Sequence, residues 1–251
     1  MKVILSISIL LIGAFNVNSY AQSSLSAGLS ISPALNLYTE KNSNFNDVNF
    51  SFDNLNTGLG TGVEIKARLK SLSIETGFNI GLFNSSLAFD KSDFSGVDIR
   101  IFSKVSGYMY NIPLWLSYPV KNSSGKILAN LKLGMTFSYA IKTSSVEIGL
   151  RQFLSDTGYI ESKFTGKNNY NNNFVSAVLG VSKSITSKKG KETEFSLLYT
   201  TGLSEMVSHS LNVDMTKNGE QKLYATSAHL KLSSIVLKIA YFPFRKNLSK
   251  Q

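Results

Sequence analysis

Apolar and polar residues alternate with a period of two along most of the chain, the mark of strands with one apolar face. The stretch LGTGVEIKARLKSLSIETGFNI, from Leu59 to Ile80, shows it clearly. Val63, Ile65, Ala67 and Leu69 take one parity, and Glu64, Lys66, Arg68 and Lys70 the other. Eight such strands are predicted. The first places Leu25, Ala27, Leu29, Ile31, Leu35 and Leu37 on one face. The second and third run from Leu59 to Leu69 and from Leu72 to Leu82, and the fourth from Tyr108 to Tyr118. The fifth runs from Ile127 to Ile141, the sixth from Val175 to Val181 and the seventh from Phe195 to Leu203. In the last, Ile235, Leu237, Ile239 and Tyr241 share a face, whereas Leu230 and Leu232 have the opposite parity. A bulge near Ser233 would reconcile the two sets.

The connections alternate in length. Long ones cover roughly 39–56, 84–105, 143–173 and 204–227, and short ones 70–71, 119–126 and 186–191. Even strand number, short turns at one end and long loops at the other predict an all-β fold, an eight-stranded antiparallel up-and-down transmembrane β-barrel. Several strands reach the roughly 9–11 residues needed to cross a bilayer at a tilt.

Alternation alone also suits a soluble lipocalin-like barrel with its apolar face inward. Volume decides against it, because eight strands enclose room for side chains or one small ligand only. Eight rows of Leu, Ile, Phe and Tyr do not fit there. The glycine-rich polar rows do, so the apolar rows face lipid. If Lys70 and Ser71 form a tight turn, Lys66 lies across from Glu75, and opposite charges so placed attract. Glu64, Lys66, Arg68 and Glu75, with Lys132 and Glu194, are predicted to form a charge network that plugs the lumen, since an unpaired ion there is costly. His229, at the start of the last strand, is also expected to face the lumen. Tyr108, Tyr110, Phe137 and Tyr139 near the long-loop end, and Tyr118 and Tyr241 near the short-turn end, form a candidate aromatic girdle. The plain β preference of tyrosine is the alternative account.

The chain of 251 residues begins with Lys2, then the apolar run VILSISILLIGAF, then SYAQ. This is the layout of an export signal over 1–21, with cleavage between Ala21 and Gln22. The barrel domain is then 22–251. With no cysteine, thiolate metal sites and disulfides are excluded. The formal charge of +10 does not mark a nucleic-acid binder. Most acids lie in the long loops, many bases lie in the short turns and tail, and no basic face is interleaved with aromatics. Lys188, Lys189, Lys191, Arg245 and Lys246 are placed to meet lipid phosphates on the periplasmic side.

The segment YNIPLWLSY, Tyr110 to Tyr118, resembles the Tyr-x-Ile-Pro-Leu strand motif of PorT-like outer-membrane barrels. Gln22 after the cleavage site is similar to that group too. The resemblance implies an OmpA-like eight-stranded barrel in a Gram-negative outer membrane and a link to protein secretion. One departure is the end, where KNLSKQ follows Phe244 and Arg245 in place of a terminal aromatic.

Chemistry is sparse. SHSLNVD sets His209 beside Ser210 with Asp214 nearby, but neighbours on an extended chain point opposite ways. No phosphate loop, metal cluster or cofactor motif appears, and no catalytic residues are assigned. GKNNYNNN, from Gly166 to Asn173, reads as a solvated loop. The sequence therefore points to a non-enzymatic barrel that binds or braces a partner through outer loops. A lipid-modifying enzyme and a small pore stand as alternatives.

Overall fold

The structure is a computed structural model that describes residues 24–43, 50–52, 55–69, 72–91, 99–146, 151–155, 158–170, 172–217 and 220–247. The predicted signal, with Ala21 and Gln22, lies outside these residues. Twelve strands are present: β1 Ser24–Ser43, β2 Phe50–Phe52, β3 Leu55–Arg68, β4 Ser73–Lys91, β5 Ile99–Lys121, β6 Ile127–Val146, β7 Arg151–Ser155, β8 Gly158–Tyr170, β9 Asn173–Thr186, β10 Glu192–Gly202, β11 Val207–Lys217 and β12 Glu220–Asn247.

Eight of them close an antiparallel barrel in the order β1-β3-β4-β5-β6-β9-β10-β12, with β12 paired back to β1. Closure gives every wall strand a partner on both sides. The β3–β4 hairpin has the predicted register, with Lys66 opposite Glu75 and Ala67 opposite Ile74. The Leu69 N–H donates to the Leu72 carbonyl at 2.8 Å. The other two short turns share one design. Asn122 to Lys126 and Ser187 to Lys191 each carry a glycine in the left-handed region, Gly125 at φ 78° and Gly190 at φ 77°. Such hairpin loops pair a type I turn with a left-handed residue, which glycine adopts without steric cost.

The long connections depart from the expected loops. They are largely strand: β4 and β5 stay paired as far as Lys91 and Ile99. β12 continues outward to pair with β11, β11 with β8, and β8 with β7. The sheet thus rises beyond the barrel as a platform. GKNNYNNN is not a loop either, because Gly166 to Tyr170 belong to β8 and Asn173 opens β9. Hydrogen bonding to a neighbouring strand overrides a polar local sequence here.

The bulge near Ser233 is absent. β12 keeps one register against β1 from Leu230 to Val236, and shifts occur only near Ala27 and beyond Glu40. Leu230 and Leu232 are buried inside the barrel. Apolar parity therefore reverses along β12 because the environment inside changes, not because the strand slips.

Candidate functional site

The outer face settles which solvent the wall meets. Val63, Ile65, Leu114, Leu116, Leu131, Leu133, Leu179, Val181, Leu197 and Leu237 all project outward and exposed, Leu133 at 59%. Interleaved with them, Glu64, Lys66, Glu75, Lys132, Glu194 and Lys238 are buried inside. A soluble protein does not bury its charges and display its leucines. The chain is a transmembrane β-barrel. Its architecture is of the outer-membrane type, with closed strands, an apolar outer band and a polar interior.

The barrel interior has three levels. Nearest the short turns lies a charge network, and the structure brings together all six residues assigned to it from parity. Lys132, with 0% exposure, bonds Glu75 at 2.5 Å and also Glu194. Lys66 pairs with Glu75 at 3.4 Å, with Glu192 at 3.3 Å and with Glu194. Arg68 pairs with Glu192. Glu64 pairs with Lys238 at 2.7 Å. Hydroxyls add to two of the carboxylates: Ser30 donates to Glu64 at 2.8 Å, and Ser184 and Ser196 donate to Glu194, each at 3.2 Å.

Parity reasoning missed Glu192 and Lys238. With them the network holds four carboxylates and four cations, so it is neutral as a unit. Glu192 shares the parity of Glu194, and Lys238 that of Ser234, which was the available signal. Trp115 was missed as well. Its ring lies under both Lys238 and Lys132, 4.2 and 5.3 Å from the centroid, a geometry in which the π face attracts the ammonium.

Above the charges sits a cavity of about 110 Å³ lined both by polar groups such as Asn36, Asn79, Asn111 and Ser234 and by apolar ones such as Trp115 and Leu198. Ser234 donates to Asn36 at 2.7 Å and Ser138 to Asn111 at 2.6 Å. Above it again, Tyr38, Phe83, Phe174, Met206, Leu230 and Leu232 pack into an apolar cluster inside the lumen. Among the described residues, buried side chains occupy the bore at two levels, one charged and one apolar.

The six aromatics assigned to a girdle all lie on the outer face. Tyr108, Tyr118, Tyr139 and Tyr241 are exposed there, while Tyr110 and Phe137 are half-buried against outer neighbours. Tyr110 stacks on Phe78 with centroids 5.8 Å apart. His229 does not face the lumen as expected. In the unbroken register its neighbour Leu230 does, and His229 pairs instead with Glu205 at 3.0 Å, about 40% exposed. His209, Ser210 and Asp214 lie on β11, and their side chains are outside the described residues. Among the described residues no group of three or more His, Cys, Asp or Glu is placed to hold a metal ion.

No protein-family model matches the chain, and no curated protein matches it. Among solved structures it is similar to the outer membrane protein OprG from Pseudomonas aeruginosa. The identity is 9% and the TM-score 0.48, over 88% of this chain and 96% of that one. It is also similar to the translocator domain of autotransporter NalP from Neisseria meningitidis, at 9% identity and TM-score 0.26, over 96% and 95% of the two chains. For the outer membrane protease OmpT from Escherichia coli the figures are 8% and 0.18, over 91% and 96%. None is close enough to lend this chain an activity.

Proposed function

We propose that the protein is a non-enzymatic barrel of a Gram-negative outer membrane, and that its strand platform, on the outside of the cell, holds a protein partner. The short turns then lie in the periplasm. One observation carries this reading. The lumen is filled by a neutral charge network and an apolar cluster, while the sheet continues well past the wall through β7, β8, β11 and the first half of β12. Material spent on a platform above a closed bore favours recognition over conduction. The resemblance in YNIPLWLSY suggests protein secretion as the setting.

Single cysteines at Asn169 in β8 and Ser123 in the β5–β6 turn test orientation. Only the Asn169 cysteine should react with an impermeant maleimide on intact cells. A photo-crosslinking residue at Asn169 should then yield one discrete adduct with a secretion component, and the same residue at Ser123 none. No adduct from platform positions, or stepwise conductance of the purified protein in planar bilayers, would overturn the proposal.

A further inference from the structure

The wall is not equally tight all round. The β6–β9 ladder stops at Asn130 opposite Ser182. Below that level β6 pairs only with β5, ending at Ile127 opposite Lys121, and β9 pairs only with β10, ending at Thr186 opposite Glu192. The splayed ends open a cleft of about 330 Å³ that joins the mouth of the lumen to the outer surface. Lys66 and Arg68 line it from β3, Lys183, Ser184 and Thr186 from β9, and Arg245 from β12. No acidic side chain is among its lining residues. Arg68 spends one nitrogen on Glu192, and a guanidinium carries five N–H donors in all. The other lip is apolar, formed by the exposed Ile127 and Leu128. Directly beyond the cleft, Leu131 on β6 and Val181 and Ile185 on β9 project outward.

Arg68, Arg245 and hydroxyls on the inner side, Lys183 at the outer lip between Val181 and Ile185, and apolar residues along the rest of the outer face match the two ends of a phospholipid. We propose that the cleft between β6 and β9 holds the phosphodiester of an anionic phospholipid against Arg68, Lys183 and Arg245, with its acyl chains along the outer face of these two strands. A free phosphate would have no use for the apolar lip. The assignment rests on the membrane-spanning fold and is independent of any partner at the platform.

The test uses the full protein in detergent micelles doped with phosphatidylglycerol or phosphatidylcholine, with bound lipid read by native mass spectrometry. Phosphatidylglycerol should be retained at lower mole fraction than phosphatidylcholine by roughly tenfold, the order expected when two or three cations meet one anionic headgroup. The double variant Lys183→Gln with Arg245→Gln should lose that preference. Lys188→Gln with Lys189→Gln, which removes the same charge from the β9–β10 turn outside the cleft, should keep it. A heat-dependent gel shift on each variant reports folding separately. Equal retention of the two lipids would overturn the proposal, as would equal loss in both double variants. Displacement of phosphatidylglycerol by millimolar inorganic phosphate would also overturn it, by showing a phosphate site with no lipid requirement.

Discussion

Lys132 has no exposed surface and two carboxylate partners, Glu75 and Glu194. Removing one member of a buried ion network leaves uncompensated charge behind. Lys132→Met should therefore destabilise the barrel by about 3–5 kcal/mol, measured by urea unfolding in lipid vesicles. A double-mutant cycle should find stronger coupling for Lys132 with Glu75, at 2.5 Å, than for Lys66 with Glu75, at 3.4 Å. The reverse order would mean that Lys66, not Lys132, is the chief partner of Glu75. The Lys66–Glu75 pairing was legible because a two-residue turn fixes the register of its own hairpin. The Lys132 contact was not, because β4 and β6 lie on either side of β5, and its reach over that strand depends on the registers of two ladders at once. Glu192 and Lys238 were overlooked at a strand end and in a strand of uncertain register.

At the scale of the strand, glycines do more than leave room for charged side chains. A Cβ on Gly134 would stand 2.2 Å from the Leu114 carbonyl and 2.7 Å from the Cα of Trp115. β6 therefore lies against β5 at a distance that only glycine allows, with the Trp115 indole alongside. Gly81, also inward-facing, has nothing nearer than 3.8 Å. Gly134→Ala should lower unfolding stability by about 1–3 kcal/mol, the usual cost of overpacking. Gly81→Ala should stay within about 0.5 kcal/mol. Equal effects would show that the close approach of β5 is not what requires glycine at position 134. Both glycines look alike in the sequence, since a one-dimensional pattern holds no distance between strands.

For the whole molecule, the outer band predicts how the protein meets its solvent. Leu133 is 59% exposed on the outer face, between Leu116 and Leu179 on the neighbouring strands. Leu133→Arg should reduce folding into vesicles by about 2–4 kcal/mol, the cost of an arginine near the midplane of a barrel's lipid face. The purified protein should need detergent or lipid to stay dispersed. A stable, monodisperse monomer of 22–251 in plain buffer would contradict the membrane-spanning fold.

Period-two alternation and the spacing of short turns determined the number of wall strands, the β3–β4 register, the inside-out polarity and the membership of most of the charge network. Each of these is local, set by the pleat that sends neighbouring side chains to opposite faces. The tertiary structure alone decided the rest. It turned the long connections into a platform and placed Leu230 and Leu232 inside under an apolar cluster. It brought Lys66 on β3 to Glu192 and Glu194 on β10 over the seam where β12 pairs with β1, and it opened the cleft between β6 and β9. All of these depend on which strands meet when the sheet closes, and closure is a property of the whole barrel.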